Sequence, residues 1–76
     1  MKTVEILEKL DPTYFLYGVP TTVDGVPYVL LTHVTGPLFS CQQLEPKLVS
    51  PGGLPAPEDP QGQCGLYPPF QRYRIG

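Results

Sequence analysis

The chain has 76 residues, among them 11 prolines and 8 glycines, with 16% charged side chains and a formal net charge of −2. It is too short for more than one domain, and too often interrupted for a helix bundle, coiled coil or repeat array, which need long periodic stretches. Its few basic residues do not make the positive footprint that a nucleic-acid backbone requires.

The N-terminal MKTVEILEKLDP predicts a short helix over residues 4–10. Thr3 is placed to cap it, Glu5 sits in the first turn where the helix dipole favours a negative charge, and Glu5 and Lys9 form an i, i+4 pair. Asp11-Pro12 stops it. Because Glu5, Glu8 and Lys9 break up its apolar residues, the stretch does not read as a secretory signal, and the expected location is cytoplasmic. The uncharged run Gly25 to Leu44 has the length of a membrane span but is interrupted by Pro27, His33, Gly36, Pro37, Gln42 and Gln43. A transmembrane helix is therefore not expected.

Residues 14–34 carry the strongest signal, a hairpin. Two runs rich in aromatic and β-branched residues, YFLYGVPTTV and VPYVLLTHV, flank Asp24-Gly25, a dipeptide suited to a two-residue type I′ turn. The register places Val23 opposite Val26, Thr21 opposite Tyr28, Val19 opposite Leu30 and Tyr17 opposite Thr32. One face then holds Phe15, Tyr17, Val19, Val23, Val26, Tyr28, Leu30 and Val34, and is the expected core face. The other holds Tyr14, Leu16, Pro20, Val29, Leu31 and His33, so it is apolar as well. Pro20 and Pro27 fall at non-hydrogen-bonded positions of this hairpin. Their missing N–H groups weaken the outer edges near the turn, so further pairing is expected at the opposite end, around Leu30 to Val34. Gly36-Pro37 can reverse the chain into a third strand over 38–44.

Composition shifts near Leu44, and seven prolines lie between Pro46 and Pro69. The expected organisation is a folded head over 1–44 and a Pro/Gly-rich extended arm over 45–76, ending in a short aromatic and basic segment whose alternation suits a final short strand. The expected fold is α+β: the short N-terminal helix on an antiparallel sheet of three to four strands, with the arm wrapped around it. Cys41 and Cys64 would contribute roughly 3 kcal/mol if bonded, but a cytosolic setting favours free thiols.

Candidate chemistry is sparse. His33 and Cys41 could approach across the Gly36-Pro37 turn as a nucleophile–base pair, but no third orienting group or oxyanion donor accompanies them; the simpler reading is a strand histidine and a small buried hydrophobe. Glu58-Asp59 reads as a solvated tip, and Gly52-Gly53 lacks the strand, helix and Lys-Ser/Thr of a phosphate loop. No cofactor, metal site or catalysis is expected. The best contact set is Tyr67, Phe70, Arg72, Tyr73 and Arg74, because Tyr and Arg combine apolar area with a directed polar end. The sequence thus points to a small non-catalytic protein, an inhibitor or adaptor of the phage or accessory type, docking on a larger partner or on a second copy of itself as a homo-oligomer. The alternatives are a structural subunit with an extended arm and a binder of a small nucleotide at a dimer interface.

Overall fold

The computed structural model describes residues 13–37 and 39–75. Five antiparallel strands form one sheet: β1 (Tyr14–Val23), β2 (Val26–Gly36), β3 (Phe39–Val49), β4 (Pro57–Glu58) and β5 (Gln71–Ile75), in the spatial order β3-β2-β1-β5-β4. Two single 3-10 turns, Pro51–Gly53 and Gln63–Gly65, are the only helical pieces among the described residues. The α+β expectation is therefore corrected to an all-β sheet. The helix expected over 4–10 lies outside the described residues. No helix among the described residues is long and apolar enough to cross a membrane.

The boundary of the arm is corrected: β3 runs through Leu44 as far as Val49. The final short strand suited by the C-terminal alternation is β5, which pairs with β1 as part of the sheet. The alternation Gln71-Arg72-Tyr73-Arg74-Ile75 fits this position: in an antiparallel pair one set of side chains faces one side and the intervening set the other.

The turn forms as its residues require. Asp24 and Gly25 both adopt positive φ, 51° and 79°, the type I′ geometry whose twist matches the flanking strands. Val23 pairs with Val26, Thr21 with Tyr28 and Val19 with Leu30, as the sequence predicts. The prolines then limit the outer ladders. β5 reaches β1 only as far as Gly18, short of Pro20, and β3 reaches β2 only as far as Val29, short of Pro27. A missing N–H on the outward side gives a neighbour nothing to pair with there.

Beyond Gly18 the expected register fails. A bulge between Tyr17 and Gly18 opposes Tyr17 to His33 instead of Thr32, leaving Thr32 as the extra residue. Because side chains alternate, one extra residue exchanges the faces of everything after it. Val34 moves to the face of Leu31 and Val29, and His33 to the face of Tyr17 and Leu30. The core cluster of Val29, Leu31 and Tyr73, with Leu16, Val49 and Leu54 packed on it, lies on the face opposite the expected one. Gly18 sits at the bulge because a Cβ there would lie 2.6 Å from the Leu30 carbonyl oxygen.

Candidate functional site

The second face of the sheet, opposite that cluster, is divided in two. Tyr17, fully buried, and His33 lie under the segment joining β4 to β5, residues 59–70. That segment pairs with no strand among the described residues, and its conformation is set by short turns in which Gln63 N–H donates to the Pro60 carbonyl, Leu66 N–H to that of Gln63 and Phe70 N–H to that of Tyr67. It touches the sheet where the Tyr17 hydroxyl donates to Gln63 Oε1 and where Phe70 meets His33 edge-on, centroids 6.5 Å apart. A disulfide between Cys41 on β3 and Cys64 fastens it, with Cα atoms 5.5 Å apart. The preference for free thiols is thereby corrected. The 59–70 segment returns across the sheet and brings together two cysteines 23 positions apart, a proximity that spacing alone does not reveal. With its sulfur bonded, Cys41 is not available as the nucleophile partner of His33, whose Nδ1 instead lies 2.7 Å from Thr32 Oγ1.

The outer end of the same face is charged and paired. Arg72, although only 7% exposed, donates from Nη2 to Glu58 Oε1 at 2.7 Å across the β4–β5 ladder. Its guanidinium carbon stands 4.5 Å above the centre of the Phe15 ring; that of Arg74 stands 5.6 Å away, with Nε 3.6 Å from Glu58 Oε2. Two cations thus share one carboxylate and one aromatic ring, an arrangement that holds the strand end in place. Arg72 Nε has no hydrogen-bond partner among the described residues.

The five tail residues singled out from the sequence do not form one surface. Arg72 and Arg74 lie on the second face, while Tyr73 is buried in the core cluster on the other, its hydroxyl donating to Gln71 Oε1 at 2.7 Å. Phe70 is occupied with His33, and Tyr67, 66% exposed, stands apart on the 59–70 segment. Among the described residues no group of three or more His, Cys, Asp and Glu is placed to hold a metal ion.

What remains open is the turn half of the second face. Val19, Leu30 and Leu48 stand side by side on β1, β2 and β3, followed toward the turn by Tyr28 and then by Val23 and Val26. None of the six is buried; Val23, Val26 and Leu48 are 41%, 48% and 46% exposed. The stripe crosses three strands and carries no formal charge. The sequence places five of these residues on the expected core face, while Leu48 falls within the expected arm. The signal was the apolar character of both hairpin faces: a chain this short fills one side and leaves part of the other uncovered.

Compared with protein families, with curated proteins and with solved structures, the chain finds no match in any of the three.

Proposed function

We propose that this protein is a small non-catalytic binding protein, an inhibitor or adaptor, that docks on a larger protein through the apolar stripe Val19, Val23, Val26, Tyr28, Leu30 and Leu48. The observation supporting this reading is the stripe itself. Contiguous apolar side chains on a rigid three-stranded platform, uncharged and wet, gain free energy when a partner removes them from water, at roughly 25 cal/mol per Å². Its partner is an apolar, uncharged surface rather than a nucleic acid or an ionic groove. Phe70, Arg72 and Arg74 support the platform in this reading, since each is engaged with another residue of the chain. The nucleotide alternative is less well supported: Arg72 already holds Glu58, and Tyr73 faces the other side of the sheet.

The proposed location is cytoplasmic. Disulfides are rare in a reducing cytosol, so the bonded form belongs to a more oxidising stage or place.

The test is capture from the native host with tagged protein, followed by the same experiment with Val26→Glu and Leu48→Glu. A stoichiometric partner lost at least tenfold with either variant supports docking on the stripe. Recovery of the bare chain, or a partner retained by both variants, overturns it. Sedimentation of the purified protein separates a foreign partner from a second copy: a dimer that both substitutions dissociate assigns the stripe to self-association.

A further inference from the structure

We propose that the Cys41–Cys64 disulfide is a redox clamp, holding the 59–70 segment over Tyr17 and His33 when oxidised and releasing it when reduced. Three observations converge on this.

The first is what the bond joins. Cys41 belongs to a strand at the edge of the sheet and Cys64 to a segment that pairs with no strand among the described residues. Apart from the disulfide, that segment is held by the Tyr17–Gln63 hydrogen bond, the Phe70–His33 edge contact and the burial of Pro60 near its start. The β1–β2 and β1–β5 ladders do not pass through the bond, so the sheet's main pairings do not require it.

The second is the backbone it holds. Gln61, Gly62, Cys64 and Gly65 have φ of 56°, 73°, 59° and 68°. Left-handed conformations are disfavoured for side-chain-bearing residues such as Gln61 and Cys64, and such a conformation persists where surrounding structure enforces it. The disulfide is the covalent part of that enforcement, and its loss lets the segment relax.

The third is access. Cys41 is exposed, and an open cleft of about 480 Å³ is lined by Phe15, Thr35, Ser40, Gln63 and both cysteines. A thiol reductant therefore has a route to the sulfurs. Attack of a dithiol's thiolate on Cys41 Sγ breaks the S–S bond, releases Cys64 as thiolate and leaves a mixed disulfide. The second thiol of the reductant then displaces Cys41, and the released thiolates take up protons. Two electrons and two protons pass to the protein, and the reductant leaves as its cyclic disulfide. The product exposes Tyr17 and His33, which adjoin Val19 and Leu30, and so lengthens the open surface along the same face.

The test is amide hydrogen exchange on the whole protein, oxidised and then reduced with dithiothreitol, alongside the Cys41→Ser/Cys64→Ser double variant. The expected result is at least tenfold faster exchange within 59–70 in the reduced protein and in the variant. β1, β2 and β5 remain the slowest-exchanging part of the reduced protein, and reoxidation restores the original pattern. Equal exchange of 59–70 in both states overturns the clamp. So does a reduced protein in which the sheet exchanges as fast as 59–70, which assigns the bond to global stability alone. The readout uses no partner, so its outcome is separate from that of the docking experiment.

Discussion

At the scale of single residues, Glu58 and Arg72 show how burial changes the worth of an ion pair. A surface pair contributes little, whereas removing one partner of a buried pair leaves a charge without compensation. Arg72 is buried and Glu58 is half-buried, so Glu58→Ala is expected to destabilise the fold by about 1–3 kcal/mol, below the full buried-pair range because water reaches the carboxylate. Urea denaturation checks this, and Glu58→Ala/Arg72→Met should be less destabilised than Glu58→Ala alone, since no orphaned guanidinium remains. Tyr73 gives a pH signature. Burial raises its hydroxyl pKa above the ordinary tyrosine value. The neutral form is the one the fold accepts, and the unfolded chain ionises first. Stability is therefore fully present below a pH of about 10 and falls as pH rises through the raised folded value. Thermal melts from pH 8 to 12 should show this decline in the native sequence and a shallower one in Tyr73→Phe. That variant also loses the Gln71 hydrogen bond, at a cost of about 1 kcal/mol at neutral pH.

At the scale of elements, the bulge in the first hairpin decides the most. It occupies the place where Gly18 lets β1 approach β2, with Leu30 and Val29 atoms within 3 Å of where a Cβ would stand. Gly18→Ala is expected to destabilise by about 1–3 kcal/mol through overpacking, read as a lower denaturation midpoint with an unchanged slope. β3 shows how an edge strand is kept from pairing with others. Between Lys47, which faces Leu31, and Gln43, which faces His33, the residues Leu44, Glu45 and Pro46 stand opposite Thr32 alone. The bulged, proline-bearing stretch interrupts the edge, and β4 at the other edge is only two residues long. The sheet's open feature is consequently an apolar face, and its edges are poor templates for another strand.

At the scale of the whole molecule, a five-stranded sheet of this length covers one face well and the other in part. Leu54 packs onto the core cluster, the 59–70 segment covers Tyr17 and His33, and the stripe from Val19 to Val26 stays open. The disulfide matters to so small a domain. Closing a loop between cysteines 23 positions apart contributes roughly 3 kcal/mol by chain entropy, a large share of the few kcal/mol a chain of this size holds in reserve. The reduced protein is expected to melt several degrees lower than the oxidised one by calorimetry.

The sequence by itself determined the features that depend on neighbours in the chain. The Asp24-Gly25 turn, the register next to it and the ladders ending short of Pro20 and Pro27 are local consequences of allowed φ and missing N–H groups. The return of β3 after Gly36-Pro37 was legible for the same reason, although its continuation to Val49 was not. Only the tertiary structure decided which face is the core. One extra residue at Thr32 exchanges the faces beyond it, and with both faces apolar no contrast in polarity fixed the choice. The Cys41–Cys64 bond, the entry of β5 beside β1 and the separation of Tyr73 from Arg72 and Arg74 likewise come from contacts between residues far apart in sequence. Such contacts form because the folded sheet buries their side chains together, a condition that no local pattern encodes.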